Sequence, residues 1–171
     1  MKVNLSAVTK FAGEVEKDLS LAVKEKSVSG ECNFAEGQPH LSAVLEFPKG
    51  KLTLGSDQPL FFGGGGSAPD PLLYCLFGTA SCFAGTMMVL IAQHGLKVDA
   101  LNITVKNRVN FLRPLGLGEA PVVDGVWIGM AYRGAASQDE MDEVVSEALA
   151  TCPGAYCLTH PIPVTAEIRK G

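Results

Sequence analysis

Strand-like runs on either side of one long uncharged helix predict an α+β fold with mostly antiparallel pairing. The helix is the stretch between Asp70 and Lys97, PLLYCLFGTASCFAGTMMVLIAQHGL. It is too long for one strand and, without a single Asp, Glu, Lys or Arg, unlike a surface helix. Alternating apolar residues precede it in HLSAVLEF and KLTLGS and follow it in VDALNITVKNRVNF and VDGVWIGMAYRG, the period of half-buried strands.

The elements follow in order. Residues 5–18 place Val8, Phe11, Ala12 and Val15 on one face, which predicts a short amphipathic helix. Alternation from Leu21 to Asn33 predicts a strand. HLSAVLEF and KLTLGS form the next two, joined by a hairpin turn at Pro48-Lys49-Gly50. The glycine-rich connection QPLFFGGGGSAPDP leads into the central helix, with Asp70 as N-cap and Pro71 as first helical residue. Gly95 supplies the C-cap. Two further strands flank a Pro/Gly-rich loop between Arg113 and Pro121. Ser137 and Glu140 have the spacing of a capping box, and Met141, Val144, Val145 and Ala148 give the helix after it a buried stripe. CPGAYCLTH follows, and PIPVTAEIRK is expected as a closing strand.

Length, charge and cysteine usage exclude several classes. At 171 residues the chain is long enough to bury a core without disulfide staples. A net charge of −4 with scattered Lys and Arg argues against a nucleic-acid surface. The central run is long enough to span a bilayer, but it contains Gly78, Thr79, Ser81, Gln93 and His94 and lacks a flanking basic cluster. A soluble core helix, wrapped by sheet or by a partner subunit, is expected instead of a membrane span. No basic segment precedes an apolar stretch near the start, and five cysteines is an odd number. Both features point to a reducing cytoplasm and away from a secreted disulfide scaffold.

The candidate chemistry lies in the thiols. Cys75, Gly78, Cys82, Gly85 and Val89 recur at helical steps and share one face. That face carries two thiols and two glycines that permit close approach of another element. Gly63 to Gly66 precede a helix as a phosphate loop does, but no Gly-Lys-Ser/Thr follows them. No CxxC occurs, and a zinc site from Cys75, Cys82, Cys152 and His160 has no supporting spacing, so no metal is expected. A Cys75–Cys82 disulfide is excluded by a rise of ~10 Å along the helix. A Cys152–Cys157 disulfide would also be strained if CPGAYC opens a helix. What remains is one thiol from the central helix opposite one from residues 152–157, or buried cysteines acting as small core fillers. Cys152 precedes Pro153 and is itself a candidate N-cap, where a helix dipole favours the thiolate.

Several motifs in order resemble the OsmC/Ohr family of organic hydroperoxide resistance proteins over about residues 20–170. Pro69 and Pro71 precede an apolar helix whose middle reads Thr79-Ala80-Ser81-Cys82-Phe83. Gly95 and a strand follow it. Ala150-Thr151-Cys152-Pro153 then ends the next helix, and Leu115-Gly116-Leu117-Gly118 is similar to a subgroup of these proteins. Residues 1–18 fall outside the shared core, as an N-terminal helical extension to an OsmC-like domain at 19–171.

The resemblance implies a sheet wrapped around the central helix in an intertwined homodimer. It also implies thiol-dependent reduction of organic hydroperoxides without a cofactor. Cys82 would be the peroxidatic thiol and Cys152 the resolving one. A sulfenic acid on Cys82 would become a Cys82–Cys152 disulfide, reduced in turn by a dithiol or lipoyl-type partner. Active members place an acidic residue shortly after the proline equivalent to Pro71 and pair it with an arginine. Here Leu72 and Leu73 occupy that turn, and no arginine precedes Arg108. Without such a cation, burial should raise the pKa of Cys82, unless Lys51 or Arg113 substitutes. The other function consistent with this departure is a noncatalytic OsmC-like dimer that binds a small hydrophobic or thiol-containing ligand. The resemblance assigns no role to Cys32, Cys75 and Cys157.

Overall fold

The computed structural model describes residues 3–170 and shows antiparallel sheets with one long helix, as the pattern of elements predicts. The chain divides into two compact units, one spanning Ser6–Phe77 and the other Gly78–Gly171 with Met1–Leu5.

In the first unit, α1 (Leu5–Val15) is the expected amphipathic helix, and none of its residues is buried. The expectation of a strand from Leu21 to Asn33 is wrong for most of its length. Asp18 caps a 3-10 turn at Leu19–Ala22, accepting hydrogen bonds from the Ser20 amide at 3.0 Å and hydroxyl at 2.7 Å. Strand structure then waits until β1 (Gly30–Cys32). The physical reason is the absence of a partner. Pairing of β1 with β2 (Leu41–Phe47) runs only from Gly30↔Ala43 to Cys32↔Leu41, and Val23, upstream of it, is 82% exposed. Alternation without a neighbour to hydrogen-bond is not a strand. β2 and β3 (Gly50–Ser56) pair from Leu41↔Ser56 to Phe47↔Gly50, so Pro48 and Lys49 form the expected tight turn.

The glycine-rich connection is organised by Asp57, a buried carboxylate. It accepts hydrogen bonds from the Ser67 amide at 2.9 Å and hydroxyl at 2.8 Å, and from the Gln58 amide at 2.9 Å. The anion cradled by this loop is thus the protein's own side chain. The Ser67 amide, then its hydroxyl, hold the Asp57 carboxyl below the usual carboxylate range against the opposing effect of burial. The loop delivers the chain to Asp70, whose carboxylate caps the long helix by accepting from the Leu72 amide at 2.6 Å.

That helix, α2 (Pro71–Gln93), enters the second unit at Gly78. It ends as predicted at Gly95, which has φ 68°. The Gly95 amide bonds to the Ala92 carbonyl and the Leu96 amide to the Ile91 carbonyl, the paired bonds of a Schellman cap. β4 (Val98–Val109) and β5 (Val123–Gly134) form a long antiparallel hairpin with irregularities near both ends. The capping box at Ser137 and Glu140 opens α3 (Gln138–Thr151), and a short α4 (Pro153–Thr159) follows. Phe83, Met87, Leu90 and Ile91 of α2 pack with Met141, Val144 and Ala148 of α3, backed by Leu101, Ile103, Ile128 and Met130 of the hairpin.

One further expectation fails. Residues 161–170 form no strand: Pro161 and Pro163 remove backbone donors, no partner strand pairs with them, and Ile168 is 98% exposed. Gly78 and Gly85 of α2 are exposed, and no described residue of the chain would touch a Cβ at either. The stripe that is buried runs through Phe83, Met87 and Leu90, to one side of the glycines. α2 is long and apolar enough to cross a bilayer, with a mean hydropathy of 1.8 over its most apolar window. Its buried stripe serves instead as the core of the second unit.

Candidate active site

Cys82 and Cys152 meet in the second unit. Cys82 lies on α2 one residue before buried Phe83, at the margin of the core, and is partly exposed. Cys152 is fully buried, at 0% exposure. The join between α3 and α4 puts it there. Pro153 disfavours helical geometry at the residue before it, and Cys152 adopts φ −72° and ψ 121°, an extended conformation. The helix is broken at this one residue. Cys152 is therefore both the C-cap of α3, its amide bonded to the Ala148 carbonyl, and the N-cap of α4.

The two sulfurs are 3.5 Å apart, a thiol–thiol hydrogen bond and not a disulfide. The Gly154 amide also donates to the Cys82 sulfur, at 3.4 Å. Gly154 is a site residue that the sequence reading passes over. A Cβ there would lie 3.1 Å from the Cys82 Cβ and 3.4 Å from its sulfur, so a larger residue would push the start of α4 back from Cys82. The signal was the Cys-Pro-Gly order itself, with the smallest residue at the first position of α4 that has an N–H to give.

Electrostatics split the pair. Burial pushes the Cys82 thiol up and outweighs the Gly154 amide, which favours its thiolate; the neighbouring Cys152 and Cys157 thiols push it further up. Burial also opposes ionisation of Cys152. Against it act the Ala155 amide, the Cys82 thiol, the Thr86 hydroxyl and the Gly154 amide, and together they take Cys152 below the ordinary thiol value. No α4 amide makes a close capping bond to the Cys152 sulfur, so these amides act on it at longer range.

The substitutes considered for the missing arginine are engaged elsewhere. Lys51 is ion-paired with Glu46 and Arg113 with Glu119. Arg108 pairs with Asp124. Among the described residues, no Lys or Arg side chain hydrogen-bonds to Cys82, and no group of three or more His, Cys, Asp and Glu side chains is placed to hold a metal ion. His160 stacks on Tyr156 with ring centroids 3.9 Å apart. Cys32, Cys75 and Cys157 are exposed. An apolar cavity of about 270 Å³ lies in the first unit, lined by Val28, Leu41, Leu45, Leu54, Pro71 and Tyr74 among others; Cys82 is not one of its walls.

The family model for OsmC-like proteins matches residues 64–167, from the glycine-rich loop to the segment beyond α4. The chain belongs to the OsmC-like family. Solved OsmC-like structures share its fold. An OsmC-like protein from Mycoplasma pneumoniae aligns with a TM-score of 0.59 at 17% identity, covering 79% of this chain and 87% of its own. An organic hydroperoxide resistance protein OsmC from Legionella pneumophila gives 0.52 at 18% identity, over 80% and 92%. One from Elizabethkingia anophelis gives 0.51 at 15%, over 80% and 90%. A search of curated protein sequences finds no significant match. At these identities the likeness speaks for the OsmC-like fold, and the chemistry of this member has to be argued from its own residues.

Proposed function

We propose that this OsmC-like protein is a thiol peroxidase that reduces organic hydroperoxides with Cys82 and Cys152. The observation that carries the reading is the 3.5 Å approach of two thiols seventy positions apart, with Cys82 the more accessible. A thiolate on Cys82 attacks the terminal oxygen of ROOH, the O–O bond breaks, and the alcohol leaves. The Cys82 sulfenic acid then condenses with Cys152, expelling water. From 3.5 Å the sulfurs have only ~1.5 Å to close to reach the ~2.05 Å of a disulfide bond. An external dithiol, of lipoyl type in the family, returns both thiols by exchange.

In this reading residues 1–18 are an extension to an OsmC-like domain at 19–171. Two copies intertwine as a cytoplasmic homodimer that covers the open face of α2. Support for the pairing comes from Leu73 and Phe77, one turn apart on α2 and 56% and 70% exposed. Large apolar side chains left in water along one helix face mark an association surface.

The test is stoichiometric cumene hydroperoxide on the reduced protein, followed by peptide mapping. A Cys82–Cys152 disulfide is expected. Recovery of all five thiols unmodified removes the peroxidase reading. It would leave the noncatalytic one, which the apolar cavity and the absence of an arginine bond to Cys82 favour.

A further inference from the structure

Two reduced thiols held in contact by the fold can chelate as well as exchange. We propose that Cys82 and Cys152 form a binding site for trivalent organoarsenicals, both sulfurs bonding to one arsenic that carries its own organic group. The inference uses the 3.5 Å separation of the sulfurs and holds whether or not the pair also reduces hydroperoxides.

The separation selects the ligand class. Thiolates are soft donors and favour soft, thiophilic centres. Two bonds of about 2.3 Å, the length zinc makes to thiolate, end 3.5 Å apart when they meet at about 100°. A linear two-coordinate centre would hold the sulfurs about 4.6 Å apart, which disfavours cuprous or mercuric ions bound in that way. A tetrahedral centre, with angles of about 109°, comes closer but needs two more ligands. Among the described residues no group of three or more His, Cys, Asp and Glu side chains is placed to supply them. Trivalent arsenic is pyramidal, because its lone pair closes its bond angles to a little more than a right angle, and it takes three substituents. An organoarsenical brings one of the three itself, and two sulfurs complete the set.

Cys82 is partly exposed and makes the first bond. With phenylarsine oxide its sulfur bonds to arsenic and its proton passes to the oxygen. Cys152 then forms the second As–S bond, and its proton leaves with the displaced hydroxide as water. One arsine oxide and two thiols give one dithioarsinite and one water, with arsenic trivalent throughout. The fold has already brought together thiols seventy positions apart, so the second bond is intramolecular and carries no new loop-closure cost. Cys152 is fully buried in a cluster with Phe83, Met87, Met141, Val144 and Ala148, which shields that bond from water and competing monothiols. Cys75 lies seven residues from Cys82 along α2, a rise of ~10 Å, too far to share one arsenic.

The test is phenylarsine oxide on the fully reduced protein, with excess 2-mercaptoethanol present to strip adducts held by one sulfur. Intact-mass spectrometry should show one phenylarsenic group per chain, released by 2,3-dimercaptopropanol. Peptic digestion at low pH should find the arsenic bridging the peptides of Cys82 and Cys152. Cys82→Ser and Cys152→Ser should each weaken capture at least about 100-fold, and the triple variant Cys32→Ser, Cys75→Ser, Cys157→Ser should keep it. No adduct, a bridge on any other pair, or wild-type capture by Cys82→Ser overturns the proposal. The mapping is done on the wild type, so it decides even where Cys152→Ser fails to fold. Cumene hydroperoxide on the same protein keeps the two readings apart. An arsenic bridge without a peroxide-induced disulfide retains the site and removes the peroxidase; the disulfide without the bridge does the reverse.

Discussion

Gly154→Ala is the most direct probe of the geometry. The added methyl would sit 3.1 Å from the Cys82 Cβ, where carbon atoms prefer about 3.5–4.0 Å. The Cys82 Cβ is fixed to the backbone of α2 and cannot rotate away, so α4 has to retreat by about 0.5 Å. Overpacking of this kind costs about 1–3 kcal/mol, and alanine returns about 1 kcal/mol in helix propensity. A net loss of about 0–2 kcal/mol in unfolding free energy is expected. The kinetic effect is sharper. The sulfurs now have to close ~1.5 Å to bond, and the retreat adds about a third to that distance while lengthening the Gly154 bond to Cys82. Disulfide formation after a peroxide pulse should slow about tenfold, equivalent to about 1.4 kcal/mol. Rapid-quench alkylation and mass spectrometry of the Cys82–Cys152 peptide pair would measure it, alongside urea unfolding. Wild-type disulfide kinetics in a protein stabilised by ~1 kcal/mol, the propensity gain alone, would refute the close-approach argument.

Three further outcomes are expected. A Cβ at Gly64 would overlap the Gln58 carbonyl group, so Gly64→Ala should cost about 2–4 kcal/mol by urea unfolding; a neutral effect would show that the loop is not held as described. Asp57 has a folded pKa below its unfolded value, so its contribution to stability is present at neutral pH and lost as pH falls through the folded value. Asp57→Asn should flatten that acid limb of the stability profile, and an unchanged limb would point to other carboxylates. Sedimentation at micromolar concentration should give a dimer, and Phe77→Glu should weaken it at least about tenfold; a monomeric wild type would contradict the proposed association.

Much of the fold is legible in the sequence because its signals are local. The capping box at Ser137, the cap at Asp70, the Gly95 stop and the Pro48-Lys49 turn each depend on residues within a few positions, and each is where the pattern puts it. The failures concern pairing. Residues 21–29 and 161–170 carry strand composition, but composition does not supply a neighbour. Spacing leaves either one cysteine of the helix opposite one of residues 152–157 or cysteines that only fill the core, and it is the family resemblance that singles out Cys82 and Cys152. The Cys-Pro-Gly order marks Gly154 as the first free donor of α4, but the atom it serves lies seventy-two positions away and is not legible. Nor was the division of charge between the sulfurs, which depends on amides near Cys152 at the break between α3 and α4.

That break has a consequence of its own. Were residue 153 not proline, α3 and α4 would be free to continue as one rod, and every side chain after Thr151 would be set by helical phase. Each residue of an α-helix turns by about 100°, so the thiol at 152 and the amide at 154 would diverge around the barrel of the rod. With Pro153 in place, phase restarts at Cys152 and the two groups converge on Cys82 from one side. The five-membered ring acts as a clutch between two helical gears. Inserting a residue before Thr151 would rotate the stripe of α3 against its core. An insertion after Thr159 would leave the convergence on Cys82 untouched. Tolerance to chain-length variation in this protein is therefore expected to be sharply polarised about a single peptide bond.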